Sequence, residues 1–261
     1  MTARRLAPST VLILLLGTIA FAAAPDEATL AAVKQIETKT ATVKGFTAGL
    51  AMSTGSGTQK RTVKGTISFA IPDKLRMTTP MPIGKGDQTT ISDGSVTWVL
   101  LPAFNTTAKV DMVKVRAAMK DLDVPDQTQQ HNIARPLALF KPGTVRVTGI
   151  AKVGDTECWV LEGTHGAAGL QGLGVKTIRV RAHVATCDGL TRQVAFLDGT
   201  DPKKARATIE YKAVTINPQF KPGTFAHTPA KDAPVIDQTE QVIGMLKSLL
   251  KKKPPKPPDP K

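Results

Sequence analysis

Gly65–Pro80, GTISFAIPDKLRMTTP, and Thr89–Met112, TTISDGSVTWVLLPAFNTTAKVDM, decide the fold of this chain. Ile67, Phe69 and Ile71 alternate with Thr66, Ser68 and Ala70, the period of a strand with one face against apolar material. Pro72-Asp73 breaks the run, because proline fixes φ and has no amide proton for a ladder. Leu75 and Met77 then resume the alternation between Lys74, Arg76 and Thr78. Asp93-Gly94, set between Ile91 and the apolar run Val96–Leu101, is a strong hairpin signal. An antiparallel meander therefore forms the centre of the protein.

Working outward, Asp26–Lys39 reads as a helix with Leu30, Val33 and Ile36 at spacings of three. Phe46, Leu50 and Met52 mark a first strand, and Ser53–Thr58 (STGSGT) a hairpin tip leading to a second strand over 60–71. Val113–Leu122 predicts a short helix, and Arg135–Phe140 (RPLALF) a helical turn opened by proline. Strands follow at Val145–Val147, Cys158–Leu161, Lys176–Val184, Arg192–Leu197 and Ala205–Ile216, mostly in hairpin order. The fold class expected is mainly β (α+β): a curved antiparallel sheet forming a half-open barrel with a few covering helices. An antiparallel sheet of nine to eleven strands must curl, and helices that cover its hollow face incompletely leave a cavity.

Met1–Ala22 predicts a cleaved export signal. Arg4 and Arg5 form its basic end, Val11–Leu16 with Ile19–Phe21 its apolar stretch, and Ala20-Phe21-Ala22 the small-x-small cleavage pattern. The domain expected is residues 23–236, followed by a basic amphipathic helix over 237–253 and a Pro/Lys-rich tail over 254–261 (PPKPPDPK). In that helix Val242, Leu246, Leu249 and Leu250 share one face, with Lys251, Lys252 and Lys253 in the last turn. Such a helix either packs on the sheet, covers the cavity mouth as a lid, or lies on a membrane surface.

Several function classes are excluded by composition and spacing. The net charge is +14, yet aromatic residues are only 4%, too few to interleave base-stacking rings with basic residues, so no nucleic-acid partner is expected. Without Arg4 and Arg5, 33 of the 35 basic residues stand against 21 acidic ones, a surplus suited either to a solvated surface or to attraction toward an anionic membrane. Gly169–Thr177 (GLQGLGVKT) imitates a phosphate loop but carries one residue too many before Lys176, and a strand follows where a helix is required. His131, His165, His183 and His227 lack ligand spacing, and no nucleophile–base arrangement emerges, so neither metal, cofactor nor enzyme activity is expected. Cys158 and Cys187 lie in or beside strands separated by one connection. In an oxidising compartment a bridge between them is expected, against two buried thiols.

The order of these segments resembles the Lol carriers, the periplasmic carriers of outer-membrane lipoproteins. The elements that carry the likeness are FTAGLAM after a helix, GTISFAIPDKLRMTTP, ISDGSVTWVLLP, the later RPLALF and the closing INPQFKPGTF. The resemblance covers about residues 28–236. It implies a monomeric periplasmic protein whose cavity shields acyl chains of a lipoprotein, or of another envelope lipid, between an inner-membrane transporter and an outer-membrane receptor. The second reading it allows is a periplasmic sensor that detects lipoprotein and binds a membrane signalling partner.

Such a cavity needs adaptable apolar side chains and no acid, base or metal. Strand parity places Ile67, Phe69, Ile71, Leu75, Met77, Trp98 and Leu100 on its lining, together with Phe46, Leu50 and Met52. Methionine suits this surface because its unbranched thioether repacks around different ligands. One position departs from the family: the arginine that precedes the strand-ending proline and holds the lid shut is here Ile71.

Overall fold

The computed structural model describes residues 26–55, 60–81, 85–121, 133–165, 178–197 and 205–251, the side chains of 249–251 excepted. The export signal, the 254–261 tail, Lys252, Lys253, His131 and the Gly169–Thr177 connection lie outside the described residues.

Among the described residues twelve strands form one open sheet. In chain order they are β1 (Gly45–Thr54), β2 (Arg61–Ala70), β3 (Lys74–Pro80), β4 (Asp87–Ser92), β5 (Val96–Leu101) and β6 (Thr106–Asp111). Then come β7 (Arg146–Val153), β8 (Thr156–Thr164), β9 (Arg179–Ala185), β10 (Thr191–Leu197), β11 (Ala205–Ile216) and β12 (Val235–Asp237). The spatial order is β12-β6-β5-β4-β3-β2-β1-β11-β10-β9-β8-β7. β1 thus sits near the middle, and the chain meanders from it to one edge. It crosses to the far edge, and a second meander brings it back beside β1.

All neighbours are antiparallel except β12, which pairs parallel with β6. That parallel edge departs from the hairpin order that the sequence predicts. It arises because residues 218–234 run from the end of β11, beside β1, to the β6 edge.

Among the described residues the sheet is accompanied by the helices α1 (Glu27–Thr40), α2 (Met112–Asp121) and α3 (Thr239–Lys251), with 3-10 turns at Pro102–Phe104 and Pro136–Leu139. The Asp26 carboxylate caps α1 by accepting from the Thr29 amide at 2.7 Å, a contact that lowers its pKa. Ile36 of α1 is fully buried against Leu161, Val180, Val184 and Val194 of β8, β9 and β10. Thr29 Oγ1 accepts from the Val147 amide at 2.9 Å, so the helix is also pinned to the β7 edge. At the opposite edge α2 and α3 pack on one another and on Val110 of β6 through Val115, Met119, Val242, Ile243 and Leu246. α3 is accordingly docked by Val242 and Leu246, while Met245 faces solvent.

Gly65 marks a close approach of two strands. A Cβ there would lie 2.2 Å from the Thr78 carbonyl oxygen and 2.8 Å from Thr79 Cγ2, so β2 and β3 approach too closely for any side chain. The Asp93-Gly94 turn forms as the sequence predicts. Asp93 Oδ1 accepts from the amides of Ser95 and Val96 at 2.7 and 2.8 Å, and Gly94 takes φ +96°.

Candidate functional site

Residues directly opposite one another in an antiparallel pair share a face. Phe46 of β1 faces Phe69 of β2, which faces Leu75 of β3; Ala48 faces Ile67, which faces Met77. On the other side of β1, Leu50 faces Tyr211 and Met52 faces Ile209 of β11. These residues form one cluster with Val43, Ile133, Ala134 and Leu190. Phe46 and Phe69 stack with ring centroids 5.5 Å apart. Tyr211 is buried in this wall, which pushes its phenol up to about 12.

The wall is graded in exposure. Phe46, Leu50, Ile67 and Phe69 are buried, whereas Met52, Leu75, Met77, Ile209, Val214 and Ile216 pack against them only partly covered. Seven of the ten lining residues expected from parity therefore come together: Phe46, Leu50, Met52, Ile67, Phe69, Leu75 and Met77.

Ile71, Trp98 and Leu100 do not join them. Ile71 lies beyond the end of β2, in the turn to β3, and is 43% exposed. It lines a pocket of about 380 Å³ beneath residues 220–226, so the strand alternation stops before it. Trp98 and Leu100 lie on the outer face. The β4–β5 register sets Thr97 opposite Ser92 and Val99 opposite Thr90, and the β3–β4 register sets those opposite Leu75 and Met77. The inner face of β5 is therefore carried by Thr97 and Val99.

The outer face has its own cover. After Asn217, whose side chain accepts from the Lys44 amide at 2.6 Å, the chain crosses the back of β1 through β6. Phe220 packs beside Gly45 and edge-on to Phe225, with centroids 4.8 Å apart. Arg76 Nη1 donates to the Thr224 carbonyl at 3.5 Å, and the Trp98 ring meets His227 at 5.4 Å. This strap ends in β12.

At the rim of the inner face, Arg116 of α2 donates to the Gly94 carbonyl at 2.6 Å and lies 3.6 Å from Asp73. A covering helix is thus tied to the β2–β3 turn and the β4–β5 hairpin by an arginine on the helix itself, at the end of the sheet where Ile71 lies.

The expected disulfide is absent: both cysteines are free. Cys158 is fully buried in β8 opposite Ala185, and its thiol donates to the Thr156 carbonyl at 3.5 Å. Burial pushes that thiol up to about 11. Cys187 follows in the exposed β9–β10 turn, where its carbonyl accepts from Lys39 Nζ at 3.2 Å.

The second half of the amphipathic C-terminal segment is described only as helix for Leu249, Leu250 and Lys251, without side chains. Among the described residues no helix is long and apolar enough to cross a membrane, and no group of acidic, histidine or cysteine side chains is placed to hold a metal.

No protein-family model and no curated protein matches this chain. Solved structures do. An uncharacterized conserved protein from Thermus thermophilus aligns with a TM-score of 0.50 at 12% identity, covering 80% of this chain and 98% of that one. The lipoprotein LppX of Mycobacterium tuberculosis aligns with a TM-score of 0.47 at 12% identity, over 75% of this chain and 98% of LppX. A LolA superfamily protein from Nitrosomonas europaea gives 0.37 at 10% identity, over 76% and 97%. The Thermus thermophilus protein shares the fold of this chain. At these identities the likeness is one of fold, and function has to be argued from the residues of the wall.

Proposed function

We propose that the chain is an exported, non-catalytic carrier whose inner face takes the acyl chains of a lipoprotein or another envelope lipid in the periplasm. The observation that carries this reading is the graded wall. A layer of buried residues supports Met52, Leu75, Met77 and Ile209, which remain partly uncovered on the same face. A core finished by its own helices has no use for a half-covered apolar stripe; a surface that takes a hydrocarbon does.

The magnitudes suit the task. Each buried CH₂ contributes about 0.8 kcal/mol, so roughly ten of them supply about 8 kcal/mol before the cost of ordering the chain. Binding by area accepts varied acyl chains, and the two thioethers at Met52 and Met77 can repack around each. Handover to an outer-membrane receptor is the direction of transport that the family resemblance implies. Arg116 ties α2 to the rim at Gly94 and Asp73.

The test is titration of the purified protein with dansyl-undecanoic acid. The proposal expects saturable binding that a diacyl lipopeptide displaces. Met77→Arg should weaken it by roughly tenfold or more, since a charge on the wall must be desolvated. Lys64→Glu, on the outer face of β2, should leave it unchanged. Absence of saturable binding, or equal effects of both substitutions, contradicts the proposal.

A further inference from the structure

On the outer face, away from the strap, β1, β9, β10 and β11 enclose a polar hollow of about 290 Å³. Its origin is legible in the strand register. One row runs His183, Gln193, Glu210, Ala51, and the next runs Arg181, Ala195, Thr208, Ser53. Ala51 and Ala195 are methyl-sized positions set among long polar side chains. The sheet is therefore low at its middle and walled by Arg181, His183, Gln193 and Glu210, with Lys60 at the hairpin end.

The electrostatics of the hollow are unbalanced. Arg179 and Arg181 both bind Glu162, at 2.9 and 2.7 Å, so two cations share one carboxylate. Lys212 lies 3.3 Å from Glu210. Lys60 has no ion-pair partner among the described residues, so four cations stand against two carboxylates. Arg181 spends Nε and Nη2 on Glu162. The hollow also contains unspent hydrogen-bonding capacity: His183 Nδ1 is buried without a partner, an arrangement that costs free energy unless something binds there. The Gln193 amide makes no side-chain hydrogen bond among the described residues.

We propose that this hollow is a binding site for a phosphate-bearing group. Lys60 and Arg181 supply the charge, and His183 Nδ1, Gln193 and Thr208 donate to the oxygens. A tetrahedral anion with several acceptor oxygens matches donors arriving from three strands and a hairpin end, whereas a planar carboxylate would leave some of them unmet. The hollow has room for a small ester beyond the phosphate itself, so the group belongs either to a soluble phosphate monoester or to a phospholipid headgroup. The site faces away from the apolar wall and does not depend on what that wall binds.

The experiment is an amide and side-chain NMR titration of the full protein with glycerol 3-phosphate, with glycerol as the uncharged control and phosphatidylglycerol nanodiscs as the lipid arm. Saturable shifts at His183, Gln193 and Thr208 with the phosphate and not with glycerol are expected. Lys60→Glu, an exposed position just before β2, should weaken them roughly tenfold without altering the rest of the spectrum. Ala195→Leu, which fills the hollow without changing its charge, should also abolish them. Response to the soluble ester alone assigns a metabolite-like ligand, and response to both assigns a headgroup; each supports the site. No saturable shift, or shifts unchanged in both variants, overturns it.

Discussion

The Trp98 indole meets the His227 imidazole nearly edge-on, with ring centroids 5.4 Å apart and planes at 67°. Lys109 Nζ lies 5.9 Å from the same indole centroid. This contact fastens residues 218–234 to the back of the sheet, and the strap in turn delivers β12 to the β6 edge. Removing the ring with Trp98→Ala should cost about 1 kcal/mol for the aromatic pair in addition to the lost area. Hydrogen exchange should quicken in β12 and the strap while β8–β10 keep their protection. Uniform loss of protection across the sheet would show that the strap is no separate unit.

Gly65 is where β2 and β3 come too close for a side chain, since a Cβ meets the Thr78 carbonyl oxygen at 2.2 Å. Gly65→Val must push two backbones apart in the middle of the wall. A loss of several kcal/mol, on the order of 3, is expected in urea unfolding, despite the preference of valine for strands. A variant as stable as the parent would mean that β2 and β3 can part at this point without cost.

The two thiols differ in access. Cys187 is exposed, and Cys158 is buried with its thiol raised to about 11. Ellman's reagent should titrate one thiol per native chain at neutral pH and two after denaturation. Zero in the native protein and two only after reduction would establish the bridge that the structure lacks.

Acid should weaken the fold through two histidines. Burial lowers the pKa of His165 below the ordinary value of 6.5, and burial with the nearby Arg181 lowers that of His183. As pH falls through about 6.5 the unfolded chain takes up protons that the native state resists, so stability rises with pH in this window. The contribution is complete above 6.5 and is lost toward the depressed native values. The urea midpoint should be lower at about pH 5.5 than at about pH 7.5, and His165→Gln with His183→Gln should flatten that difference. An unchanged slope in the double variant would place the acid sensitivity elsewhere.

The sheet is legible in the sequence because its inner strands alternate cleanly. Ile67 and Phe69 against Thr66 and Ser68, and Leu75 and Met77 against Lys74 and Arg76, leave one assignment of faces, and the structure has it. β5 offers no such contrast. In Val96–Leu101 five of the six residues are apolar, with Thr97 the exception, and all six are partly buried because the strap covers the back, so the strand itself assigns Trp98 and Leu100 to neither face. Their side is set by register with β4, which depends on where the Asp93 turn closes. β6 and β12 are hidden for a related reason. Thr106–Asp111 carries little apolar contrast, and the three residues Val235–Asp237 make a strand only because the strap brings them alongside β6. The polar hollow needs three-dimensional register as well, since Lys60, Arg181, His183, Gln193 and Glu210 are scattered along the chain and meet only through β1, β9, β10 and β11.

If the half-covered wall of Met52, Leu75, Met77 and Ile209 holds acyl chains, native mass spectrometry will find them there. Full-length protein should be purified from an exporting cell without detergent and measured before and after organic extraction. A bound mass of acyl lipid or lipoprotein that extraction removes, and that is reduced in Met77→Arg, is expected. Protein that is consistently empty, and that instead retains an inner-membrane protein, would contradict the carrier and favour a sensor.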